Sequence, residues 1–138
     1  MQITGGCFCG QLQYEAELDE RMVGICHCRD CQIFSGSAFR LSGIVPPDKF
    51  SFTRGTPTFF DKIADSGSVR RMAFCAHCGT HLCSLPGKDG GYVSIRVASA
   101  NEFADIRPVA EFFCASRVSW MDDLEGTARF DGMFGSED

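Results

Sequence analysis

The sequence predicts an all-β fold of short antiparallel strands with few helical turns. Hydrophobic positions recur with a period of two, and glycine and proline interrupt the chain every few residues. The period is clearest in "QLQYEAEL", where Leu12, Tyr14, Ala16 and Leu18 alternate with Gln11, Gln13, Glu15 and Glu17. Such a pattern turns one row of side chains to a core and the other to solvent. "KFSFT" repeats it through Phe50 and Phe52, and "YVSIRVA" through Val93, Ile95 and Val97. "PTFFDKI", "SVRRMAF" and "AEFFCA" are further strand candidates. Pro46-Pro47, Gly55, Pro57, Gly67, Pro86-Gly87 and Gly90-Gly91 mark the turns between them. No long segment has a 3.6-residue period, so helical turns are expected only around 30–34 and 101–105. Neither a repeat nor a linker divides residues 1–138, and one domain with a single core is expected.

A formal net charge of -5 argues against broad binding to nucleic acid, which requires a basic face. It leaves room for a local basic pocket that holds a small anion. No apolar run approaches the roughly 20 residues that span a bilayer, so no membrane partner is expected. The opening "MQITGGCFCG" has neither the basic nor the apolar part of a signal peptide, which makes the cytoplasm the expected location. Exposed strand edges would permit a dimer without requiring one.

In a reducing compartment, clustered cysteines indicate metal or redox chemistry more often than disulfides. The chain has nine, and their spacing sorts them. Cys7 and Cys9 form a C-x-C pair, Cys26, Cys28 and Cys31 a C-x-C-x-x-C trio, and Cys75 and Cys78 a C-x-x-C pair. Two short-spaced pairs far apart in sequence can close one four-thiolate zinc site, and Cys7, Cys9, Cys75 and Cys78 make such a set. Gly5, Gly6, Gly10 and Gly79 allow tight turns around it. Its binding energy would then be partly folding energy. The trio has no cysteine pair left to complete it. Three protein ligands with an open fourth position distinguish catalytic zinc from structural zinc.

Two other readings of the same residues stand beside this one. Cys28/Cys31 and Cys75/Cys78 could be redox pairs, although the βαβ setting of thioredoxin-like motifs is missing. Cys83, Cys114, His27, His77 or His81 could instead complete the trio and make both sites structural. By themselves, Cys83 and Cys114 read as small core residues. His27 and His77 lie inside chelate loops, where side chains are expected to point outward.

The motifs "GGCFCGQLQYE" at 5–15, "CHCRDCQIFSGSAF" at 26–39 and "FCAHCGTHL" at 74–82 resemble, in order and spacing, those of the glutathione-dependent formaldehyde-activating enzyme family. The similarity runs over nearly the whole chain. It implies a zinc-containing β-tent fold, with Cys7, Cys9, Cys75 and Cys78 matching structural zinc ligands and Cys26, Cys28 and Cys31 matching those of a second, catalytic zinc. It also implies a carbon–sulfur lyase activity that joins glutathione to formaldehyde as S-hydroxymethylglutathione. One position departs from the pattern. The family often carries a histidine after a proline and ahead of a tryptophan; here Pro108 and Trp120 are present, and the corresponding residue is Glu111.

A site for glutathione needs cationic and N–H donors for its carboxylates. "SGSAFR", directly after the trio, offers Ser35, Gly36 and Arg40. Arg29 could attract an anion, Arg70 and Arg71 suit a strand face, and Trp120 could floor a pocket. The competing functional reading is a non-catalytic zinc-stabilised binding module.

Overall fold

The alternation in residues 11–18 corresponds to a strand with one buried row. A computed structural model describes residues 1–133. Strands β1 (Gln2–Gly6), β2 (Gln13–Glu17) and β5 (Phe50–Arg54) form a three-stranded antiparallel sheet in the order β1-β2-β5. Leu12, Tyr14, Ala16 and Leu18 are all buried, as a period of two requires. Tyr14 stacks on Phe50, and Phe50 meets Phe52 edge to face.

The second sheet has seven strands. They are β3 (Val23–Cys26), β4 (Arg40–Val45), β6 (Thr58–Ile63), β7 (Val69–Phe74), β8 (His81–Pro86), β9 (Val93–Ile95) and β10 (Ala110–Phe112). Their order is β10-β3-β4-β9-β8-β7-β6, antiparallel throughout except for the β10–β3 pair, which is parallel. Ile3, Tyr14 and Leu18 from the small sheet region join Val45, Leu82, Ile95 and Val97 from the large one in a single core. Each such aliphatic side chain contributes about 1.5–3 kcal/mol by leaving water.

The one α-helix among the described residues, α1 (Arg29–Ser35), falls where a helical turn is expected and extends it slightly. A 3-10 turn at Phe103–Asp105 lies in the second expected position. The fold is therefore mostly β, as predicted. "YVSIRVA" departs from the half-buried pattern: Ser94 and Arg96 are buried together with Val93, Ile95 and Val97. The reason is position, because β9 lies between β4 and β8 in the middle of the sheet, where both faces are covered. No helix among the described residues is long and apolar enough to cross a membrane.

Candidate metal centres

Cys7 and Cys9 lie in the connection from β1 to β2, and Cys75 and Cys78 in the turn from β7 to β8. The four Sγ atoms all lie within 4.8 Å of one another, with Cys7–Cys9 at 3.6 Å and Cys9–Cys75 at 3.7 Å. Sulfurs about 2.3 Å from a shared tetrahedral ion stand about 3.8 Å apart, so the set fits one metal. Gly10 and Gly79 follow the second cysteine of each pair with φ of 81° and 78°, a left-handed conformation that glycine adopts without a Cβ penalty. Their N–H groups close the turns onto Cys7 O and Cys75 O at 3.0 and 2.8 Å.

Thr80 links the two turns. Its Oγ1 accepts from Phe8 N at 3.1 Å and lies 3.2 Å from Cys78 Sγ. That hydroxyl, with the N–H groups of Thr80 and Cys9, draws the Cys78 thiol down to about 5. Leu12 N donates to Cys7 Sγ at 3.2 Å. An ion here would clip the three-stranded sheet to the seven-stranded one, because each contributes one pair of ligands.

The second group is built on a strand and a helix rather than on strand-to-strand turns. Cys26 ends β3, Cys28 is the N-cap of α1, and Cys31 lies in its first turn, with Cys31 N donating to Cys28 Sγ at 3.4 Å. A strand-to-helix junction thus gathers the trio, whose sulfurs also lie within 4.8 Å of one another. Asp30 pairs with Lys62 at 2.7 Å and Gln32 Nε2 donates to Ser116 O at 3.2 Å, which hold the helix in place. Burial pushes the Cys31 thiol up to about 12 despite the Arg40 charge. At Cys28 burial is outweighed by the Cys31 N–H, the neighbouring thiols and Arg40, and the pKa falls. Both clusters are therefore able to hold metal ions, and their thiolate chemistry suits zinc.

No fourth His, Cys, Asp or Glu among the described residues completes the trio. Cys83 is a core residue, as expected, whereas Cys114 is exposed on a 3-10 turn. His77 points outward, but His27 does not. It has no exposed surface, and its Nε2 lies 2.8 Å from Glu111 Oε1. The parallel pairing of β10 with β3 creates this contact by setting Glu111 opposite Ile25. Arg117 Nε lies 3.5 Å from the same Glu111 oxygen. Glu111 is thus a partner of a buried histidine that lies between two trio cysteines.

A cavity of about 490 Å³ opens beside the trio. Ser35 and Arg40 are on its wall, with Phe34, His81, Thr80 and Arg96. Gly36 instead caps α1, its N–H turned back to Ile33 O at 3.3 Å. Arg40 is the cross-strand partner of Cys26, which brings the cavity next to the trio. His81 is held below the usual imidazole range by burial, then by the Arg96 and Arg40 charges, and packs between Phe34 and Phe74. Arg96 and Thr80 are polar wall residues that the sequence does not reveal. A cation embedded in the apolar run around Ile95 and Val97 is the one signal that could have drawn attention to Arg96. A larger groove, about 960 Å³, runs past Leu18, Met22, Val45 and Tyr92; neither cavity has a cysteine on its walls, and the smaller one is tied to the trio through the Arg40–Cys26 pairing. Trp120 is exposed, Arg71 pairs with Asp61 at 3.0 Å, and Arg70 lies over the Tyr92 ring.

A family model described as "Glutathione-dependent formaldehyde-activating enzyme" matches residues 2–116. The chain is 30% identical over 81 residues to an uncharacterized lyase of Schizosaccharomyces pombe, a match covering 59% of this chain and 56% of the relative. It is 31% identical over 78 residues to a Talaromyces marneffei protein provisionally named a glutathione-dependent formaldehyde-activating enzyme, covering 55% of this chain and 41% of that protein. The chain thus spans about half the length of the curated relatives it matches. A crystal structure of a Rhodobacter sphaeroides protein superposes with a TM-score of 0.61 at 18% identity, over 78% of this chain and 98% of the other, and shares the fold.

Proposed function

The chain belongs to the glutathione-dependent formaldehyde-activating enzyme family, and from that membership we propose a zinc-dependent enzyme of the carbon–sulfur lyase type, acting on the adduct of glutathione or another small thiol with an aldehyde such as formaldehyde. The observation that carries this reading is the unequal division of seven sulfurs: four gathered in one set able to surround an ion, three with no fourth ligand among the described residues. A zinc ion at the trio would supply a Lewis acid and would favour the thiolate form of a visiting thiol near neutral pH.

The balance of the reaction is simple. In the joining direction the thiol sulfur forms a bond to the carbonyl carbon, the C=O π pair moves to oxygen, and that oxygen takes a proton in place of the one the thiol gives up. The reverse direction breaks the same C–S bond. The protein must bring sulfur and aldehyde together, which is where most of the acceleration would arise. Cys26, Cys28 and Cys31 anchor the site, and Phe34 and Phe39 on the cavity wall exclude water. Ser35 and Arg40 on the cavity wall position the thiol, and Gly36 ends the helix that carries Ser35. His81 enters neutral and can hold the transferred proton. A reducing cytoplasm, where free thiols persist, suits this chemistry.

Metal analysis should return about two zinc ions per chain. Glutathione added to the cobalt-substituted protein should produce a new thiolate-to-metal absorption. With ¹³C-formaldehyde, NMR should show the adduct equilibrating faster than the uncatalysed background. An unchanged cobalt spectrum together with background exchange would leave a zinc-stabilised binding module instead.

A further inference from the structure

Arg96 is 7% exposed, and no other Lys, Arg, Asp or Glu among the described residues is buried. A buried cation is costly unless something of opposite charge accompanies it. Its Nη1 donates to Ser94 O at 2.9 Å and to Ser94 Oγ at 3.1 Å, and Nη2 reaches only Met72 Sδ at 3.9 Å. The buried Nε has no partner, and neither does the buried Nε of Arg40. None of the ion pairs among the described residues joins Arg40 or Arg96 to a carboxylate. Both line the 490 Å³ cavity, and none of its walls carries an Asp or Glu.

Two guanidiniums sharing one small cavity repel each other unless an anion joins them. The thiols of Cys83, Cys31 and Cys26 are close enough to act on Arg96 electrostatically, but no hydrogen bond runs between any of them and the guanidinium. They offset charge without using the guanidinium donors. A carboxylate does both, since its two oxygens match the planar N–H fork. The volume falls within the range of small-molecule sites. Burial and the Arg40 charge bring Arg96 down to about 9, which leaves it protonated at neutral pH.

We propose that Arg96 and Arg40 form a carboxylate subsite beside the Cys26/Cys28/Cys31 trio, so that the site selects thiols that carry an acid group over neutral or cationic thiols. This rests on the trio accepting a thiol. The preference is opposite to what the metal site alone would impose. Three thiolates around a divalent ion carry one net negative charge, which by itself would repel an acidic visitor and attract an aminothiol.

The test uses three thiols of similar size, 3-mercaptopropionate, 2-mercaptoethanol and cysteamine, titrated into the full chain loaded with cobalt and followed by absorption. The acid is expected to bind about tenfold tighter than the neutral thiol, with cysteamine weakest. In Arg96→Gln the order should flatten or reverse while metal content stays at the wild-type value. Arg40→Gln, a substitution at a half-buried position, should reduce the preference in the same direction and decides the matter if Arg96→Gln does not fold. Binding of all three thiols without preference would overturn the subsite but leave the open-site reading intact. No thiol binding at all would overturn both. Loss of metal in a folded Arg96→Gln protein would make Arg96 a counter-ion of the thiolates, and the carboxylate assignment would fall.

Discussion

Glu111 Oε1 stands 2.8 Å from Nε2 of His27, a ring with no exposed surface, and the two residues are 84 positions apart in sequence. The contact couples the last strand of the large sheet to the residue between Cys26 and Cys28, so a carboxylate near the C-terminal end helps to orient the trio.

Removing that carboxylate leaves a buried ring nitrogen without its partner. Glu111→Leu is expected to cost about 1 kcal/mol in urea unfolding of the metal-loaded protein, the low end of the range because Glu111 is half exposed. Glu111→Gln, which keeps a hydrogen-bonding oxygen, should cost less. Metal affinity at the trio should fall about tenfold in Glu111→Leu, as when an outer partner of a metal site is lost. A variant equal to wild type in both measurements would show that the pair orients nothing.

The two metal groups should respond differently to loss of a sulfur. Cys78→Ser breaks the clip between the sheets, so cooperative unfolding should shift strongly to lower denaturant and bound metal should drop. Cys28→Ser opens only the local junction at α1. It should lose about one ion while retaining a wild-type circular dichroism spectrum and most of its stability. Equal destabilisation by the two would refute the division of roles.

Thr80→Val removes the hydroxyl between Phe8 N and Cys78 Sγ. Since that hydroxyl helps hold the Cys78 thiol near 5, its thiolate in the wild type persists until the pH falls through that value. The variant should release metal at a higher pH, read with a chromophoric chelator during acid titration. Coincident release curves would exclude Thr80 as the stabilising group.

His81 gives a pH dependence of defined sign. Its folded pKa lies below the ordinary histidine value of 6.5, chiefly through burial. Below the unfolded pKa the unfolded chain takes up a proton that the folded chain resists, so stability is full above about 6.5 and declines as the pH falls toward the folded value. His81→Phe keeps a ring between Phe34 and Phe74 and should show a shallower decline between pH 7 and 6. NMR should also place the His81 midpoint below the ordinary histidine value of 6.5. A midpoint at or above that value would contradict the burial account.

Where local pattern governs, the sequence is readable. Leu12, Tyr14, Ala16 and Leu18 have a period that only a half-buried strand satisfies, and the spacing of Cys7, Cys9, Cys75 and Cys78 matches the reach of one tetrahedral ion. Residues whose environment comes from distant partners are not. His27 sits in a chelate loop and reads as exposed, yet β10 pairs in parallel beside it and covers the ring. Arg96 occupies a polar position in an alternating run, and only the location of β9 between two other strands buries it. Strands β4 and β8 carry Ser42, Gly43 and Ser84 among their apolar residues, which blurs the alternation that marks the other strands.

The grip of the four-sulfur site also has a place in time. Cys9 and Cys75, 3.7 Å apart in the finished molecule, leave the ribosome separated by 66 residues of synthesis. Until the second pair emerges, the nascent chain can offer an ion only two thiolates there, too few for tight capture. Firm loading therefore waits for the turn after β7, and acquisition of the ion marks a chain whose two halves have already met.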